Sequence, residues 1–176
     1  MTTNKWNLDT AHSSIDFSIR HMMISKVKGT FQTFEASIEA DLEDLTSANI
    51  EFSIDVNSVD TRNEERDNHL RSADFFDVEH FPKMTFKSTK ITKKSPGEYE
   101  VTGDLTLRGT TKPETFTVSY EGSGKDPWGN EKVGFEAHGS ISRSEYGLTW
   151  NAALETGGVL VADQVQISLD IQASKA

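Results

Sequence analysis

Phe34-Glu35-Ala36-Ser37-Ile38-Glu39-Ala40-Asp41-Leu42 alternates apolar and polar side chains without a break. Phe34, Ala36, Ile38, Ala40 and Leu42 share one face, while Glu35, Ser37, Glu39 and Asp41 share the other. A period of two is the strand period, so this segment reads as a β-strand with one dry and one wet face. The pattern recurs in both directions. Before it stand Ile15, Phe17 and Ile19. After it come Ile50 to Val56, Met84 to Ser88, Tyr99 to Leu107 and Phe116 to Tyr120. Val133 to Ile141 and Val165 to Ala173 complete it. Counting these segments predicts about eight strands, enough to close a barrel that holds one small ligand. The fold class expected is therefore mainly all-β, an extended eight-stranded antiparallel barrel.

Upstream of Phe34 the parity changes. Val27, Gly29 and Phe31 hold odd positions, whereas Phe34 onward holds even ones. A straight strand from Val27 to Leu42 would run about 50 Å at roughly 3.3 Å per residue. A bulge or sharp turn near Gln32 and Thr33 is expected instead. Only one segment reads as helical, around residues 62–72, where Thr61 followed by Glu64 matches a capping box. It carries Arg62, Glu64, Glu65, Arg66, Asp67, His69 and Arg71, with Leu70 its sole large apolar residue. Such a helix lies on a surface or across a barrel mouth.

The 176 residues suit one domain, 1–176, and include no cysteine, which excludes disulfides, thiolate catalysis and Cys-based metal sites. A net charge of −10 opposes nucleic acid as a partner. The first residues, Met1 to Asp9, lack the apolar core of a secretory signal, and no apolar run reaches the length of a membrane span. A cytoplasmic location without stable membrane insertion is the expectation.

On the inward face Gly29, Ala36, Ala40, Ser88, Gly103, Ala137 and Gly139 alternate with large apolar residues. Either they leave space inside, or they interdigitate with aromatic rings from opposite strands and fill it. Histidine and carboxylate spacing points to no chemistry. Asp67 and His69 lie two apart on the helix and face different ways, and no His-x-x-x-His, Gly-x-Ser-x-Gly or phosphate-cradling glycine loop occurs. Neither a metal site nor catalytic residues are expected.

Several segments together carry a family resemblance. They are Trp6-Asn-Leu-Asp9 with His12-Ser13, Phe17 with His21, Val27-Lys-Gly-Thr-Phe31 and Val59-Asp-Thr61. Arg66-Asp67-x-His69-Leu70-Arg71-Ser72-x-Asp74-Phe75-Phe76 and Phe81-Pro82 before Phe86-x-Ser88 follow, then Gly103-Asp-Leu-Thr-Leu107-x-Gly109 and Arg143-x-x-Tyr146-Gly147-Leu148. From near Trp6 to the last strand the chain resembles the YceI-like family of polyisoprenoid-binding proteins. The resemblance implies a lipocalin-like barrel whose elongated interior holds an isoprenoid or similar amphiphile, with no other cofactor. It also implies a homodimer. Many relatives are exported to the periplasm, and this chain departs from them in lacking a signal.

On this reading the chain binds a polyisoprenoid, or its quinone or phosphate derivative, for carriage, storage or sequestration, and is not an enzyme. Each five-carbon unit buried would contribute roughly 3 to 4 kcal/mol before ordering costs. Phe17, Phe31, Phe34, Ile38 and Phe52 are expected to line the cavity, together with Ile54, Phe86, Leu105 and Phe135. His12, His21, Arg66, His69 and Arg143 are the candidates to meet a polar head group, since forked guanidinium donors suit phosphate oxygens. The same five could instead pair with carboxylates such as Asp67 and Asp74 and hold the helix in place. Two other classes stay open: an enzyme acting on such an amphiphile, and a stress-response interaction module with a packed interior.

Overall fold

The computed structural model describes residues 3–22, 24–152 and 160–176. Its strands are β1 (Asn4–Leu8), β2 (Ser14–His21), β3 (Ser25–Phe31), β4 (Phe34–Asp41), β5 (Asp44–Asp55) and β6 (Val59–Asp60). After the helix α1 (Glu64–Arg71) come β7 (Lys83–Ser95), β8 (Glu98–Leu107), β9 (Thr110–Lys125), β10 (Glu131–Ser142) and β11 (Val161–Lys175). Strands β1, β4, β5, β7, β8, β9, β10 and β11 pair antiparallel in that order, and β11 returns to β1 to close an eight-stranded barrel.

β2, β3 and β6 extend three of those staves. β1 pairs with β11 at Ala173 to Lys175, and β2 takes over at Val161 to Asp170. On the other flank β1 pairs with β4 and β2 with β3. Thus β1–β2 and β3–β4 are each one long stave broken once, which keeps the count at the expected eight. The second break falls at Gln32 and Thr33, where the parity switch places it. Its backbone is satisfied by the turn after β5: Gln32 N–H donates to the Ser58 carbonyl at 3.2 Å and Thr33 N–H to Ser58 Oγ at 3.0 Å.

The helix is shorter than expected and is capped differently. Asn63, not Thr61, is the N-cap, its side chain accepting from the Arg66 N–H at 3.0 Å. Thr61 is held elsewhere, because both its N–H (2.9 Å) and its hydroxyl donate to Oδ1 of the buried Asp67. Leu70 is the one apolar peg of α1 and packs against the main core.

The three loops beside α1 are stitched by Arg108, which sits at φ 49° in the turn between β8 and β9. Its guanidinium donates to the Ala73 carbonyl at 2.8 Å and to the Gly147 carbonyl. At the opposite end a second, smaller cluster of Trp6, Ala40, Leu45, Val133 and Ala173 packs across the barrel. Trp6 Nε1 there donates to the Ala40 carbonyl at 3.3 Å.

Candidate ligand-binding cavity

Between these two ends the barrel holds a cavity of about 390 Å³ whose wall is almost wholly apolar. That size lies within the range of roughly 300–1,000 Å³ typical of small-molecule sites. It is elongated. On β11 alone its wall runs from Val161 to Ile171, roughly 33 Å of strand and about 25 Å along the axis for a tilt near 40°.

Of the expected lining residues, Phe17, Phe31, Ile38, Phe52, Ile54, Phe86, Leu105 and Phe135 border this space. Phe34 does not. It opens β4 directly after the break and is buried in the packed core opposite Ile54, its register partner. Val165, Ile167, Leu169 and Ile171 also form the wall. Their alternation marks a strand in the sequence, but parity alone does not separate wall from packed core. Phe75, Leu148 and Trp150 lie outside strands and carry no periodic signal, yet the fold brings them to the same space.

Five of the seven small inward residues divide into two groups, while Ala36 and Ser88 do not border the cavity. Ala40 and Ala137 border the cavity. The three glycines instead make way for rings: Phe17 covers Gly29, Phe86 covers Gly103 and Phe116 covers Gly139, each within 2.4–2.6 Å of where a Cβ would stand. The room expected from these glycines is therefore taken by protein, as in any close-packed interior.

Polar groups gather at the α1 end. His21, Arg66, His69 and Arg143 all border the cavity there. His12 does not join them. It lies in the exposed turn between β1 and β2, its Nδ1 at 2.8 Å from Asp9, and that hydrogen bond lowers the Asp9 carboxyl below its ordinary range. His69 Nε2 meets Asp74 at 2.9 Å, and its ring stands edge-on to Phe75 and Trp150 with centroids 5.0 and 4.7 Å away. Arg66 donates from Nε to Thr61 Oγ1 at 2.8 Å and from Nη2 to the Thr61 carbonyl at 2.7 Å.

Arg143 is only 5% exposed and is held by backbone alone. Nε donates to the Ala162 carbonyl at 2.8 Å and Nη1 to those of Leu148 (2.6 Å) and Trp150 (3.0 Å). Nη2 reaches the Val161 carbonyl at 3.3 Å, and the guanidinium carbon stands 6.0 Å above the Phe75 ring. Burial pulls its pKa below the ordinary arginine range. Among the described residues neither Arg66 nor Arg143 has a carboxylate within ion-pair distance. The arginines thus stand at one end of the cavity, and the rest of its wall is apolar apart from Asp16 and Tyr99. Among the described residues no group of three or more His, Asp or Glu could hold a metal ion, and no helix is long and apolar enough to cross a membrane.

A family model described as the YceI-like domain matches residues 6–173. A UPF0312 protein of Staphylococcus epidermidis is 45% identical over 171 residues, covering 97% of each chain. The crystal structure of BcnA from Burkholderia cenocepacia superposes with a TM-score of 0.83 at 26% identity, over 94% of this chain and 99% of that one. A polyisoprenoid binding domain from Saccharophagus degradans shares the fold at a TM-score of 0.70 and 14% identity, over 97% and 98% of the two chains.

Proposed function

This chain belongs to the YceI-like domain family, and from that footing we propose that it is a non-catalytic carrier of a long apolar amphiphile. The ligand class is a polyisoprenoid or its quinone or phosphate derivative. The observation that carries this reading is the elongated, largely apolar cavity with its arginines at one end only. A ligand matching it has a long apolar tail and a small polar or anionic head. Burying about 0.8 kcal/mol per methylene, the tail supplies most of the affinity. The Saccharophagus degradans domain, of the same fold, is itself described as polyisoprenoid binding, which supports the ligand class.

The head-group end is built from residues with different duties. Arg143 spends most of its donors on backbone carbonyls, so its contribution is mainly a fixed buried charge. Arg66 has Nε and Nη2 engaged by Thr61, which leaves Nη1 to donate to a head-group oxygen. The aromatic wall of Phe75 and Trp150 would flank the first carbons of the tail.

The test is uptake of geranylgeraniol from dilute ethanol by purified protein, read by native mass spectrometry, after organic extraction of whatever copurifies. Wild type is expected to bind one molecule. Ala137→Phe puts a ring into the cavity from β10 and is expected to lower uptake at least tenfold while the protein stays folded. Uptake by that variant equal to wild type, or none by wild type after delipidation, would sink the carrier reading.

A further inference from the structure

The hairpin between β2 and β3 stands at the α1 end of the barrel, beside the cavity. Met22 N–H donates to the Leu160 carbonyl at 2.7 Å and His21 is the register partner of Val161. His21, Leu160 and Val161 all border the cavity. At the hairpin tip Met22 is 43% and Ile24 82% exposed. Trp128, the other exposed large apolar residue among those described, lies in the turn between β9 and β10 at the far end of the barrel.

The charge of the hairpin itself is opposite to that of the chain. From Phe17 to Phe31 there is no Asp or Glu, in a protein with 28 of them and a net charge of −10. The same stretch carries Arg20, Lys26 and Lys28, all exposed. Arg20 and Lys26 are register partners and Lys28 follows on the same outer face. Among the described residues none of the three is in an ion pair, whereas the lysine stripe of β7 is partly neutralised by Lys87–Glu51 (3.4 Å) and Lys94–Glu100 (3.9 Å). On the flanking strand, Ser18 faces the uncharged Gln166, while the exposed Asp163, in the irregular step opposite Arg20, is bonded to Ser142 Oγ and the Ser144 N–H.

Apolar side chains projecting beside unpaired cations are the features by which peripheral proteins settle at the headgroup boundary of anionic bilayers. We propose that the β2–β3 hairpin docks the barrel on an anionic membrane surface. Ile24 and Met22 enter the headgroup layer while Arg20, Lys26 and Lys28 pair with lipid phosphates. The acidic remainder of the molecule is repelled by that surface, so docking is reversible and has one orientation, with the arginine end of the cavity toward the lipid. The hairpin's physics stands on its own; its use for loading the cavity rests on the carrier reading.

Flotation with two kinds of vesicle tests the docking. One is pure phosphatidylcholine; the other contains about a third phosphatidylglycerol. Wild type is expected to float with the anionic vesicles at low salt, to be released at high salt and to ignore the neutral ones. The double variant Lys26→Ser/Lys28→Ser should partition about 25-fold more weakly, from a factor of about five per cation. Ile24→Asp should lose binding at least tenfold, while Trp128→Ala floats as wild type does. Geranylgeraniol uptake from ethanol is measured on the same samples and reports that each variant is folded. Wild type that takes up geranylgeraniol but never floats, or floats equally with both vesicles, overturns the docking and leaves the carrier reading intact. Unchanged flotation of Ile24→Asp overturns it as well. Salt-sensitive flotation without any uptake would uphold the docking and overturn the carrier reading instead.

Discussion

The ring of Phe17 lies across Gly29, its register partner on the adjacent strand, so closely that a methyl group at position 29 would stand 2.4 Å from Cζ. Thr61 Cγ2, at 2.9 Å from the same point, closes the other side. Neither neighbour can withdraw without disturbing the core around Phe31, whose ring centroid is 5.5 Å from that of Phe17. Gly29→Ala is therefore expected to destabilise the protein by about 1–3 kcal/mol, the usual cost of overpacking. Urea denaturation measures it. Adding Phe17→Leu should recover part of the loss, because the shorter side chain frees the space, and strict additivity of the two changes would refute the contact.

Arg143 joins the segment after β10 to the start of β11 through four backbone carbonyls. Replacing it by Met keeps much of the bulk and leaves those carbonyls without their donor. A loss of about 3 kcal/mol is expected, given what hydrogen bonds from charged donors contribute. Arg66→Gln removes a half-buried cation bonded only to Thr61 and should cost far less. In uptake assays it should weaken geranylgeranyl phosphate more than geranylgeraniol. Equal weakening of the two ligands would remove Arg66 from the head-group site.

Tyr146 is fully buried and its hydroxyl donates to Glu114 Oε2 at 2.5 Å. Burial first, and the neighbouring Glu114 carboxylate second, push that hydroxyl far above its ordinary pKa of 10.0. Above about pH 10 the unfolded chain gives up this proton and the folded chain keeps it. Stability then falls with rising pH, by up to about 1.4 kcal/mol per unit from this one group. Tyr146→Phe should be less stable at neutral pH by about 1–3 kcal/mol, having orphaned the carboxylate. It should also show a shallower alkaline decline in denaturation curves recorded at several pH values. An unchanged slope would exclude Tyr146 as its source.

The strands were legible because alternation is local: each apolar residue in Phe34 to Leu42 declares its face from its immediate neighbours. The break at Gln32 and Thr33 was equally local, a change of parity. Helix capping was not. Asn63 and Thr61 are both good capping residues, and only the contact between Thr61 and Asp67 settles which of them caps α1. His12 and His21 looked alike as candidate head-group residues, but one ends in an exposed turn and the other beside the cavity.

By itself, then, the chain determined an antiparallel barrel with an apolar inside, free of disulfides and marked by an acid-free stretch from Phe17 to Phe31. Tertiary structure decided which inward positions face empty space and which face a ring. Gly29 and Ala137 share the same inward parity, yet one lies beneath Phe17 and the other borders the cavity. The reason is that volume inside a closed sheet is shared across staves distant in sequence. Whether a gap is filled depends on what the opposing register brings, a quantity that no single strand's pattern contains.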